Sequence, residues 1–149
     1  MANLEPLIQS IPVAPLKLAS LEGCRTLADQ VNNYLVSFRH ESPTNVGQAD
    51  SLQGYCADSY LLECECPRFG SGEGKGVLKE SVRGCDLFIM VDVTNYSLTY
   101  RVNGYENHMS PDNHYQDLKR IISAADGKAR RINVIMPFLY EGRQHKRSK

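Results

Sequence analysis

Two continuous apolar runs, Asp86-Leu-Phe-Ile-Met-Val91 and Ile132-Asn-Val-Ile-Met136, bracket a segment of helical period. A run without polar alternation reads as a strand covered on both faces, as in a parallel sheet. Between the runs, Ser110 can cap a helix, Pro111 suits its first turn, and Gly127 is placed to end it. Tyr115, Leu118, Ile121, Ile122 and Ala125 form the inner stripe of that helix. Strand, helix, strand across residues 86–136 is a parallel unit, with a right-handed crossover strongly expected. The fold class is therefore α/β, a mostly parallel sheet flanked by helices. Strands at about 86–91 and 131–137 are expected to be central, with a helix at about 111–126 crossing between them.

The remainder of the chain fits around this unit. Residues 1–15 hold three prolines and little period, so an irregular arm is expected. Leu16 to Ala19 is a short strand candidate. Apolar positions 24, 27, 28, 31, 34, 35 and 38 give one helical face. Ser42 to Ala57 is polar and reads as a loop or insertion. From Tyr60 to Cys66 the chain alternates, with Tyr60, Leu62, Cys64 and Cys66 on one face and Glu63 and Glu65 on the other, as in a half-exposed strand. Val77 to Val82 is another strand candidate, and Thr94 to Met109 reads as a long Tyr/Asn-rich connection.

At 149 residues one domain is expected, and no apolar run approaches a membrane span. Net charge is zero but unevenly placed. Residues 128–149 carry seven Lys/Arg against Glu141 alone, which leaves ten basic and sixteen acidic residues in 1–127. Such a basic end suits phosphates, nucleic acid or an acidic partner. Five cysteines and no evident signal segment favour reduced thiols and a cytoplasmic setting. Cys64-Glu-Cys66 lacks a Cys-x-x-Cys partner, so packing rather than metal binding is expected, with no metal site within the chain.

The stretch Phe69-Gly-Ser-Gly-Glu-Gly-Lys75 carries the chemistry. It is not a phosphate loop of the Gly-x-x-x-x-Gly-Lys-Ser/Thr kind, because Phe69 replaces the first glycine and Gly76 the hydroxyl. The dinucleotide pattern fails as well, since Lys75 stands at its third glycine. What remains is an aromatic face at Phe69, an acceptor at Glu73, and glycines that let a backbone approach a ligand. After the last strand, Arg143 and Gln144 offer donors to phosphates and base edges, near the strand carboxyl ends where α/β folds gather ligands.

In order along the chain stand Leu16 to Ala19 with Leu27-Ala28, Phe69-Gly-Ser-Gly-Glu73, Glu80-Ser-Val-Arg-Gly84, Pro111-Asp112-Asn113, and Pro137 followed by Gly142-Arg143-Gln144-His145-Lys146-Arg147. With these motifs the chain resembles the N-terminal, phosphoribosyltransferase-like domain of ribose-phosphate pyrophosphokinase over residues 16–149. The resemblance implies transfer of the diphosphoryl group of ATP to the 1-hydroxyl of ribose 5-phosphate, with Mg²⁺. It implies nucleotide contacts at Phe69, Ser71, Glu73, Arg143 and Gln144, with the Phe69 loop serving the site of a neighbouring subunit in a homo-oligomer. Catalytic and metal-binding groups are then expected beyond Lys149, so the chain reads as the truncated first half of a longer protein, inactive alone.

Two departures keep a second function open. Ser71 stands where the family has Asp or Asn, and His145 where it has Asp. A non-catalytic, regulatory or assembly subunit that binds nucleotide is the alternative. A nucleic-acid module is disfavoured, because residues 143–149 lack interleaved aromatics.

Overall fold

The computed structural model describes residues 12, 14–41 and 54–143. Its sheet has four parallel strands in the order β2-β1-β5-β8. These are β1 (Leu16–Ser20), β2 (Leu61–Leu62), β5 (Asp86–Met90) and β8 (Arg131–Ile135). From β1 the chain runs through α1 (Arg25–Glu41) out to β2, then returns past β1 to β5 and continues through α2 (Pro111–Ala124) to β8. The direction of winding therefore reverses between β1 and β5. Two short antiparallel pairs complete the structure: β3 (Cys64–Glu65) with β4 (Val77–Leu78), and β6 (Thr99–Val102) with β7 (Tyr105–His108).

Alternation along β5 explains the two-layer core. Leu87, Ile89 and Val91 pack with Leu118 and Ile121 of α2 and with Ala125 just past its end. Phe88 and Met90 point the other way, onto Cys24, Ala28 and Val31 beside and within α1. The helices thus cover opposite faces, as expected when same-handed crossovers leave a central pair in opposite directions. Asn32 is the polar exception on α1. It is buried, and its Oδ1 accepts the Tyr60 N–H at 2.8 Å, tying α1 to the start of β2.

Ser110 caps α2 as expected, accepting the Asn113 N–H at 3.2 Å, with Pro111 in the first turn. The buried stripe is rotated from the expected one. His114 and Asp117 are buried, whereas Tyr115 is exposed. Their polar ends are satisfied, His114 Nε2 by the Asn95 carbonyl at 2.8 Å, so polarity did not keep them outside.

The expectation of two central strands holds for β5 and not for β8. β8 is the edge of the sheet among the described residues, with Val134 and Ile135 exposed. A continuous apolar run reports covering of both faces only when a further layer or strand is present. What fixes β8 in register is polar: Asp86 accepts from Arg131 Nε and Asn133 Nδ2, both at 2.9 Å. The single strand expected at Tyr60–Cys66 is divided. Its alternation is correct, but β2 joins the main sheet and β3 pairs with β4. The connection at 94–109 contains a hairpin. Asn103 (φ 52) and Gly104 (φ 84) form its turn, both left-handed as a tight two-residue loop requires. The arm expected at residues 1–15 and the loop at 42–57 lie largely outside the described residues.

Close packing between β4 and α2 yields a prediction. A Cβ on Gly76 would lie 2.2 Å from the Arg120 carbonyl oxygen, a backbone atom that cannot swing aside. Gly76→Ala should cost about 1–3 kcal/mol of stability in urea unfolding, the range for overpacking. A loss below about 0.5 kcal/mol, which is surface-like behaviour, would mean that the strand passes the helix less closely.

Candidate functional site

The Phe69–Glu73 segment is the tip of a hairpin. The β3–β4 pairing continues to a bridge between Arg68 and Gly74. Inside it, the Phe69 N–H donates to the Glu73 carbonyl at 2.7 Å and the Gly72 N–H to the Phe69 carbonyl at 2.9 Å. Gly72, at φ 91, is the residue that makes the turn possible without strain. Phe69 is 55% exposed, an apolar ring presented to solvent on a tied turn. Ser71 Oγ donates to Glu73 Oε2 at 3.0 Å, so both polar candidates sit together on the turn that carries the ring. The glycines do not all serve ligand approach. A Cβ on Gly74 would fall 2.3 Å from Arg68 Nη1 and 2.8 Å from Arg120 Nη1, so this glycine lets the hairpin pass two guanidiniums.

Arg68 anchors the turn, and sequence reasoning missed it. Its Nη1 and Nη2 donate to the two carboxylate oxygens of Asp117 at 2.7 and 2.8 Å. Both side chains are 7% exposed. Arg120 adds a third member, donating to Asp117 Oδ1 at 2.6 Å. The hydrogen bond to Asp117 holds the Arg68 guanidinium more firmly protonated than usual. The available signal was an arginine adjoining the glycine run and an acid at position 117, next to Leu118 of the expected apolar stripe.

Arg143 belongs to a separate segment, the turn after β8. That turn is docked on the start of α2. The Tyr140 hydroxyl donates to Asp112, and its ring lies 5.1 Å from that of Tyr115. The hydrogen bond to Asp112 pushes the Tyr140 phenol up to about 12. The structure thus brings Phe69, Ser71 and Glu73 together on one turn and puts Arg143 on another element. Gln144 lies outside the described residues.

A cleft of about 390 Å³ opens between β3, α2 and the β6–β7 hairpin, walled by Cys64, Cys66, Arg68, Tyr100, His114 and Asp117. None of the expected nucleotide residues lines it. Its thiols are chemically quiet. Burial pushes Cys64 up to about 11, and burial followed by the Asp117 charge pushes Cys66 up to about 12. Among the described residues no three His, Cys, Asp or Glu side chains come together as a metal cage. The described cysteines are all free thiols.

Two outcomes follow from this geometry. Asp117→Ala leaves a buried guanidinium unpaired and should destabilise the protein by about 3–5 kcal/mol; urea unfolding measures it, and a loss under 1 kcal/mol would count against the pair as an anchor. With burial pushing its pKa up to about 12, the Cys66 thiol stays almost wholly protonated at pH 8. Iodoacetamide should therefore label Cys64 and Cys66 far more slowly in the native protein than in urea, and equal rates would contradict their quenching.

Residues 16–149 match the family model described as the N-terminal domain of ribose phosphate pyrophosphokinase. No curated protein matches the chain significantly. Among solved structures, the crystal structure of phosphoribosylpyrophosphate synthetase from Mycobacterium smegmatis is similar, with a TM-score of 0.53 and 23% identity. The alignment covers 89% of this chain and 33% of that one, so the chain spans about a third of its length. At that identity the likeness speaks to the fold, while the family match extends through the hairpin, α2 and the turn after β8. The chain belongs to the family of ribose phosphate pyrophosphokinase N-terminal domains.

Proposed function

We propose that residues 16–149 act as the nucleotide-facing domain of a ribose-phosphate diphosphokinase. The reaction transfers the β,γ-diphosphoryl group of ATP to the 1-hydroxyl of ribose 5-phosphate, giving AMP and phosphoribosyl pyrophosphate. The observation that carries this reading is the exposed Phe69 ring on the same turn as Glu73, braced by its own hydrogen bonds, in a chain of this family. A ring on a fixed turn can stack on adenine without paying to order itself. Arg143 and Gln144 supply donors for the nucleotide, Arg143 with a planar fork suited to phosphate oxygens.

Phe69 and Arg143 lie on separate elements, which fits a site shared between subunits: Phe69, Ser71 and Glu73 of one copy facing Arg143 and Gln144 of another. Homo-oligomerisation is part of the proposal. The described residues contain no cage for the Mg²⁺ that the family uses. In this reading the catalytic groups and the sugar-phosphate loop belong to the rest of the enzyme, outside residues 16–149. The 149-residue chain alone is therefore inactive in this reading. Free thiols fit a reducing cytoplasm, and no helix among the described residues is long and apolar enough to cross a membrane.

One observation favours a second reading. Ser71, which replaces the family's Asp or Asn, donates its hydroxyl to Glu73 and so engages one carboxylate oxygen. A non-catalytic subunit that binds nucleotide would tolerate this. ATP affinity and turnover separate the two. In the longer protein, Phe69→Ala should weaken ATP binding by about 1–3 kcal/mol, the worth of one base–aromatic stack. Arg143→Lys should also weaken it, because a point charge cannot replace a two-pronged donor. Calorimetric titration at fixed salt checks both. ATP binding without AMP formation from ribose 5-phosphate and Mg²⁺ would select the non-catalytic reading, and unchanged affinity in both variants would sink the site.

A further inference from the structure

The turn that carries Phe69 leans on the β6–β7 hairpin. The Tyr100 ring lies under Arg68, with the guanidinium carbon 5.0 Å from the ring centroid. The Val102 methyls are 4.0 Å from where a Cβ on Gly72 would sit, and Asn103 Oδ1 is 3.6 Å from the same place on Gly70. One hairpin thus touches the anchor of the turn and both glycines beside Phe69. Between the two hairpins runs a groove bounded by Gly72, Tyr100, Val102 and Tyr105.

The hairpin is built to bear on something. Its turn is tight, and Thr99 Oγ1 donates to Glu106 Oε1 across the strands at 2.7 Å. Its base is fastened to the core. The Met109 N–H donates to the Leu98 carbonyl at 2.8 Å, Met109 itself is buried, and buried His114 bonds the Asn95 carbonyl. The turn it meets is anchored at its base by Arg68 and tied by two backbone hydrogen bonds, but its tip is rich in glycine. Gly70, Gly72 and Gly74 fall within five residues, and glycine loses more conformational freedom on ordering than any other residue.

We propose that the 99–108 hairpin is a positioning element for the Phe69–Glu73 turn, with Tyr100 and Val102 as its positioning residues. Tyr100 packs its ring face against the Arg68 guanidinium, and Val102 lies over Gly72. Together they set the turn before any ligand arrives. The effect on ATP rests on the proposed nucleotide role of Phe69; the ordering of the turn does not.

The chain contains no tryptophan, so Phe69→Trp places a single reporter on the turn. Its time-resolved anisotropy and acrylamide quenching are measured without nucleotide, then during ATP titration. In that background Tyr100→Ala should raise the quenching constant and the fast depolarisation at least about twofold, reflecting lost cation–π contact. Val102→Ala should do so less. Tyr100→Phe keeps the ring face and should restore the parent values, while the thermal midpoint of all variants stays near the parent's. ATP affinity should fall about three- to tenfold in Tyr100→Ala, the factor for a contact of this kind. Loosening in Tyr100→Ala with rescue by Tyr100→Phe upholds the positioning role even if ATP never binds, and then only the nucleotide reading falls. A turn equally rigid in Tyr100→Ala overturns the positioning role, whether or not ATP binds.

Discussion

The arrangement depends first on the buried pair of Arg68 and Asp117. Desolvating two charges is costly, and good bidentate geometry with further hydrogen bonds is what offsets it. Here the fork of Arg68 meets both oxygens, Arg120 adds a second cation, and the Cys66 carbonyl accepts from Arg68 at 3.3 Å. The pair joins residues 49 positions apart, linking the base of the β3–β4 hairpin to the middle of α2. Two paired residues per strand would not hold such a hairpin in water. Held by α2, it needs glycine at 74 and 76, because its backbone must pass the guanidiniums and the helix.

The sheet supplies the frame for this. Winding reverses between β1 and β5, and their connections touch: Gly23 lies close to the Asp92 carbonyl and to Asn95. The candidate residues are not in that crevice. They stand on excursions from it, the β3–β4 turn and the turn after β8, each braced against a different part of α2. One helix therefore sets the placement of both segments, and its packing is a determinant of the site although it contributes no expected ligand contact.

Much of this was legible from residue patterns because the patterns are local. The Ser110 cap, the Asp86–Val91 strand and the parallel unit follow from periodicity and capping chemistry. The placement of Phe69, Ser71 and Glu73 on one turn was equally accessible, since five residues around glycines make few other shapes. What could not be read was tertiary. Whether an apolar run lies mid-sheet or at its edge depends on strands elsewhere in the chain, and β8 fell on the edge. The partnership of Arg68 with Asp117 could not be read either, because each segment shows a charged residue but nothing that pairs it with the other. His114 and Asp117 entered the buried stripe because distant groups satisfied them. The β6–β7 hairpin, by contrast, was missed although Asn103-Gly104 announces its turn.

That hairpin has a consequence for how the chain folds. Its pairings join residues no more than nine apart, Thr99 with His108 at the open end. Closing so small a loop takes microseconds or less, and adding it to a fold barely raises contact order. The sheet around it is the reverse, with β1 pairing to β5 about seventy residues later. A hairpin of this kind burdens the slow, long-range search for the parallel sheet very little. A brace for the Phe69 turn can therefore be lengthened, shortened or re-aimed without disturbing the route by which the rest of the domain assembles.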